Sequence, residues 1–188
     1  MDQTTYFIIL TGGPGVGKTT LLKKLQQQGY RTVLEDARRI IKEQLECNGD
    51  GLPWKNRQYY ATLMLAASTN SFLHEIKKSA TDPGYVFFDR GIPDTLAYIE
   101  MENLIVEESL LTEAKAHRYH KKVFILPPWH DIYETDHERK QTWEEAEATF
   151  HWMKDVYQRL DYEVIKVPKT TVEGRYQFIL EALGLASH

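Results

Sequence analysis

The residues best equipped for chemistry lie close to the N-terminus, at positions 12–19, GGPGVGKT, with Thr20 following. Gly12, Gly13, Pro14, Gly15, Val16, Gly17, Lys18 and Thr19 fit the pattern G-x-x-x-x-G-K-[ST]. Glycines let a backbone turn tightly enough to aim successive N–H groups at one anion. A helix starting directly afterwards adds the partial positive charge of its first turn. Lys18 has the reach for the β- and γ-phosphates of a nucleoside triphosphate, and the Thr19 hydroxyl suits Mg²⁺. A glycine turn that matches by accident is the alternative. Context argues against it, because an apolar run precedes the loop and a helical pattern follows it.

Two further groups of charged residues close apolar runs. One is Phe87-Phe88-Asp89-Arg90-Gly91. An acid at the end of a buried strand is placed to hold Mg²⁺ with Thr19, directly or through water, although Asp89 could also simply start the turn at Gly91. Arg90 beside it suits the clamping of a phosphoryl group or an acceptor. A processive AAA motor would carry Glu there to activate water and would need a further helical lid domain; these 188 residues have neither the Glu nor the length. No Asn/Thr-Lys-x-Asp guanine reader of the regulatory GTPases is present. The other group is Glu35-Asp36-Ala37-Arg38-Arg39. Its carboxylates could take a hydroxyl proton or cap the helix that begins near Ala37. Asp36 suits capping and Glu35 suits catalysis. One of Arg38 and Arg39 is expected to reach substrate and the other to lie on a solvated face.

These groups need a frame. Tyr6–Thr11, Thr32–Leu34, Tyr85–Phe88, Val123–Leu126 and Tyr162–Val167 read as five short strands, apolar enough to be buried on both faces. Helical stripes lie between them. Leu21, Leu22 and Leu25 form one, and Tyr59, Leu63, Ala66, Leu73 and Ile76 a second. Trp143, Ala146, Phe150, Met153, Tyr157 and Leu160 form a third. Val172, Tyr176, Ile179, Leu180 and Leu183 form the last, with Thr170 and Glu173 at capping-box spacing. Strands alternating with helices predict a three-layer α/β fold with a parallel sheet, all 188 residues forming one domain. Trp54, in the turn-rich 49–54 segment, is expected to anchor that loop on the core rather than to wall an acceptor site.

Composition narrows the function. A hydrophobic content of 42% supplies a full core, and a net charge of −4 disfavours nucleic acid as the main partner. The single cysteine, Cys47, forms no internal disulfide and fits a reducing, cytosolic setting. No run approaches a membrane span, and the first apolar run is too short for a signal peptide. His130 and His137, seven apart, do not form a recognised metal-ligand pattern. Oligomeric state is left open.

TGGPGVGKTT at 11–20, FFDRGIPDTLAY at 87–98 and PPWHDIYETDHERK at 127–140 together resemble the AAA-type "predicted ATPases". These are related to the ribosylnicotinamide kinase domain within the wider nucleoside and nucleotide kinase-like P-loop group. The resemblance implies a P-loop fold with sheet order 2-3-1-4-5 and small-molecule kinase chemistry using ATP and Mg²⁺. Glu35 is similar in position to the Glu that serves deoxynucleoside kinases as base for the acceptor hydroxyl. The segment from about 128 to 142 resembles a lid, from which Arg139, with Lys140, would lay positive charge over the transferring phosphates. The loop Pro168–Thr170 falls where related folds pack adenine. The resulting expectation is phosphate transfer from ATP to a small, nucleoside-like acceptor. The rival readings are a nucleotide-dependent binding module or switch, and an NTP hydrolase.

Overall fold

The computed structural model describes residues 6–132 and 142–185. A five-stranded, all-parallel sheet runs β2-β3-β1-β4-β5. Its strands are β1 (Phe7–Thr11), β2 (Arg31–Val33), β3 (Val86–Asp89), β4 (Lys122–Ile125) and β5 (Glu163–Lys166). The helices are α1 (Lys18–Gln27), α2 (Asp36–Glu46), α3 (Arg57–Ser79), α4 (Ile92–Met101), α5 (Glu108–Ala116), α6 (Trp143–Arg159) and α7 (Val172–Ala182). A short 3-10 turn covers His130–Ile132. The expected P-loop α/β fold and strand order are both present.

The alternation of β1 divides the core. Phe7 and Ile9 point to one face, where they meet Phe88, Ile92, Leu96, Phe150 and Tyr157 from β3, α4 and α6. Ile8 and Leu10 point to the other, against Leu21, Leu22 and Leu25 of α1 and Ile179 and Leu180 of α7. All of β1 is buried, which explains its unbroken apolar sequence. Burial of both faces does not extend to the whole sheet. β2 is only half-buried and β5 has exposed ends, because these two strands form the sheet's edges. α2 packs outside α3 through Ile40, Tyr60 and Ala67.

Three local expectations are corrected. The buried face of α3 carries Tyr60, Ala61, Ala67 and Phe72, whereas Tyr59 and Leu73 are exposed. Leu63 and Ile76 of the expected stripe do pack against the core, but its other positions give way to neighbours, since two tyrosines are adjacent and α4 selects Tyr60, whose ring meets Tyr98 edge-on. Trp54 is 64% exposed and does not anchor its loop; the neighbouring Leu52, 1% exposed, does. The cap of α7 is Thr171, whose hydroxyl accepts from the Gly174 amide at 3.1 Å. Glu173 instead pairs with Lys24 of α1 at 2.8 Å. Among the described residues, no helix is long and apolar enough to cross a membrane.

Candidate active site

The β1–α1 corner forms the glycine loop. Gly12 adopts φ +134°, and a Cβ there would lie 2.5 Å from the carbonyl oxygen of Leu126. Only glycine fits, because that neighbour is backbone at the end of β4. Gly17, at φ +88°, caps α1 without a side chain, so the first turn of the helix opens directly from the loop. Val16 is buried beneath it.

Lys18 is the first residue of α1 and is 7% exposed. Its Nζ donates to the carbonyls of Gly12 at 2.9 Å and Gly13 at 2.8 Å. Burial, with a smaller contribution from the Arg90 guanidinium, brings its pKa down from 10.5 to about 8. Asp89, Glu35 and Asp94 oppose that fall. The ammonium is thus held in place before any anion arrives.

Asp89 closes β3 beside β1, with Leu10 as its register partner. It is 8% exposed, and burial pushes its carboxyl above the ordinary range. Its Oδ1 is buried with no hydrogen-bond partner among the described residues. Thr19, exposed at the start of α1, lines the same cleft. A carboxylate and a hydroxyl on residues lining one space make a hard-oxygen donor set, which fits Mg²⁺.

Arg90 follows in the left-handed region, φ +71°, an uncommon conformation for a bulky side chain. Its amide donates to Leu10 O at 3.0 Å, which fixes the turn. The guanidinium lies between two acids, with Nε 2.7 Å from Glu35 Oε1 and Nη1 3.7 Å from Asp94 Oδ1. Burial raises the Glu35 carboxyl, but the charges of Arg90, Lys18 and Arg38 outweigh it and hold Glu35 below its ordinary range. Glu35 is the residue that joins β2 to α2, and its side chain makes no cap.

Asp36 does not cap α2 either. It lies in the first turn, receives Arg39 at 2.8 Å on Oδ1 and accepts from Ser71 of α3 at 3.0 Å on Oδ2. It is drawn inward by α3, a partner distant in sequence. Arg39 also pairs with Glu43, while Arg38 faces the cleft.

Two spaces meet at these residues. The larger, a cleft of about 640 Å³, is lined by Gly15, Gly17, Lys18, Thr19, Thr20 and Arg38 and reaches Asp131, Val172 and Arg175. The smaller lies between α2, α3 and the ends of β2 and β3, against Met64, Ser68 and Ser71. Glu35, Asp89 and Arg90 line both. Arg139, Lys140 and His137 lie outside the described residues, as does most of the expected lid. Of that segment, His130 stacks on Trp143 with ring centres 3.4 Å apart.

Two residues at the site were not singled out from sequence. Asp94, 3% exposed, accepts from the Gly91 amide at 2.8 Å and from the hydroxyls of Thr11 and Tyr157. Burial and Asp94's charge push the Tyr157 hydroxyl well above its usual pKa, so it stays a donor. This network fixes the acid against which Arg90 rests. Its local signal was the Gly-Ile-Pro-Asp start of α4, where a carboxylate in the first turn can serve the Gly91 amide. Arg175 of α7, 5% exposed, donates to Val16 O at 3.2 Å and lies 5.5 Å from the Trp129 ring centre. An arginine one turn after Val172, on the helix's apolar stripe, was its signal.

The family profile described as "AAA domain" matches residues 7–175. The chain belongs to this AAA-domain family. Solved structures of P-loop kinases share its fold. Thymidylate kinase from Ehrlichia chaffeensis superposes with a TM-score of 0.63 at 19% identity, covering 94% of this chain and 97% of that one. Deoxyadenosine kinase from M. mycoides, with bound dATP, gives 0.58 at 15% identity over 95% and 99%. NadR protein in complex with NR gives 0.65 at 20% identity; 96% of this chain matches, against 50% of NadR. A search of curated proteins finds no match to the sequence. The AAA-domain chain is therefore built on the frame of nucleoside and nucleotide kinases.

Proposed function

We propose that this protein is a Mg²⁺-dependent phosphotransferase that moves the γ-phosphoryl group of ATP to a small acceptor. One observation carries the reading. Lys18, Glu35, Asp89 and Arg90 line one cleft of about 640 Å³ that runs from the phosphate loop past Ala37, Arg38 and Ile41 of α2. A hydrolase needs a place for one water, whereas a cleft of this size, walled by α2 as well as by the loop, has room for an acceptor molecule beside the nucleotide.

Catalysis on this frame consists of positioning and charge stabilisation. The loop amides from Gly13 to Thr20 hold the β- and γ-phosphates, and Lys18 neutralises charge gathering on them. Thr19 and Asp89 would hold Mg²⁺, whose charge would offset that of the phosphate oxygens. Arg90 orients the transferring group and keeps Glu35 ionised. Glu35 takes the acceptor's proton, and Arg139 of the lid segment completes the positive surround. The fold shared with thymidylate kinase and with deoxyadenosine kinase supports this chemistry.

The test is ADP release from Mg-ATP, measured with and without candidate acceptors. Acceptor-dependent release with a matching phosphorylated product supports the reading. Tight nucleotide binding with slow, acceptor-independent turnover would instead favour a switch or a hydrolase.

A further inference from the structure

The phosphotransferase chemistry gives no task to Arg175, although this arginine lines the same cleft as Lys18. It is 5% exposed, and arginines this deep are rare unless paired. Among the described residues its guanidinium has two partners. Nη1 donates to Val16 O at 3.2 Å, and the guanidinium carbon lies 5.5 Å from the Trp129 ring centre. Nε is buried with no hydrogen-bond partner. No described carboxylate offsets the burial, which alone pulls the group's pKa below the usual arginine value. The nearby acid in α7, Glu173, is taken by Lys24. A packing role needs no guanidinium, since an apolar side chain would fill the space without desolvating a charge. A buried, unpaired fork backed by an indole fits a ligand that brings the missing acceptor.

The sheet order sets which part of a ligand can reach it. On one side of β1 and its loop, the cleft is walled from β2 and β3 by Glu35, Arg38, Asp89 and Arg90. On the other side it is walled by Asp131, from the turn after β4, and by Val172 and Arg175 of α7, which follows β5. On the phosphotransferase reading, from which this orientation follows, the γ-phosphate faces Glu35 and Asp89. The triphosphate then crosses the loop, and the sugar and base extend to the β4–β5 side. There Val172 offers an apolar contact for a ring, and Arg175 supplies donors for its edge.

We propose that Arg175 is a specificity-determining contact for the nucleotide, donating from its guanidinium to a ring nitrogen or carbonyl oxygen of the base. The base, rather than the triphosphate, supplies the partner that the fold leaves out. Loss of the guanidinium therefore weakens ATP and spares a ligand that has no base. A merely structural arginine, acting through Val16 O on the phosphate loop, would weaken both alike.

The experiment measures, on the full chain with Mg²⁺, the affinity of the parent and of Arg175→Met for ATP and for ribose 5-triphosphate, which keeps the sugar and phosphates of ATP but has no base. Methionine retains an unbranched apolar stem and removes every donor. Arg175→Met is expected to weaken ATP binding about tenfold or more, as befits the loss of a charge-assisted hydrogen bond, and to leave ribose 5-triphosphate within about twofold of the parent. Should Arg175→Met fail to fold, Arg175→Lys, which keeps the charge but not the planar fork, is held to the same comparison. Equal losses for the two ligands, or unchanged ATP affinity, overturn the proposal and leave the phosphotransferase reading standing. A parent with no saturable binding of Mg-ATP overturns that reading, and the proposal falls with it.

Discussion

Replacing Lys18 with Met separates what the lysine does for the nucleotide from what it costs the fold. The side chain is 7% exposed, and its pKa falls from 10.5 to about 8, mainly through burial. At about 1.4 kcal/mol per pKa unit, holding it charged at pH 7 costs about 3 kcal/mol of folding stability. Its bonds to the Gly12 and Gly13 carbonyls, at about 1 kcal/mol each, return about 2 of that. Lys18→Met should therefore be about 1 kcal/mol more stable than the parent at pH 7 without nucleotide. The folded-state pKa lies below the unfolded one, so the unfolded chain binds more protons between pH 8 and 10.5. The parent then gains about 3 kcal/mol relative to the variant as pH rises through that window, and the order of stability reverses. Urea unfolding of both proteins from pH 7 to 10 reads this directly. With Mg-ATP at a hundred times its Kd, the parent should gain about 2.7 kcal/mol and the variant nothing. A variant much less stable at pH 7, with a pH profile parallel to the parent's, would refute the reasoning.

Other substitutions test the rest of the site. Glu35→Gln should lower acceptor-dependent ADP release by about 10²–10⁴-fold with Mg-ATP affinity nearly unchanged by calorimetry; loss of binding instead would make Glu35 structural. Because Asp89 is pushed above the ordinary carboxylate range and Glu35 is held below it, the acid limb of a pH–rate profile should follow Asp89 and lie above that range, and raising Mg²⁺ should move it to lower pH. Asp89→Asn should raise the Mg²⁺ concentration for half-maximal activity about tenfold or more while Lys18-dependent nucleotide contacts persist, which a magnesium titration checks. Tyr157→Phe removes a buried donor from Asp94 and should cost about 1–3 kcal/mol in urea unfolding. Gly12→Ala drives a Cβ to 2.5 Å from the Leu126 carbonyl and should displace the loop, measured as weakened Mg-ATP binding and a lower Tm.

How far the sequence carries the site depends on whether its signals are local. The phosphate loop is local: six positions between a strand and a helix dictate the backbone, and Gly12 and Gly17 hold the positive φ values that the pattern requires. Asp89 and Glu35 were readable because each ends or follows an apolar run, and the parallel sheet brings β2 beside β3. Arg90 adjoins Asp89 in sequence, but its ion-pair partners are Asp94, four residues on, and Glu35, which it reaches only across the sheet. The role of Asp94 was hidden because its partners, Thr11 and Tyr157, lie 83 and 63 residues away. Asp36 was misread as a cap for the same reason, its second oxygen being taken by Ser71 of α3. The face of α3 could not be fixed by periodicity alone, since neighbouring tyrosines fit two registers and only packing against Tyr98 chooses between them.

In the proposed mechanism the β1–α1 corner seizes a triphosphate tail through its amides and Lys18, with a magnesium that Thr19 and Asp89 would hold. Titration calorimetry of the full chain with Mg-ATP addresses it without regard to any acceptor. Saturable binding at one site per chain is expected, weakened by EDTA and abolished in Lys18→Met. Absence of saturable association with Mg-ATP, or equal affinity in the parent and Lys18→Met, would contradict it.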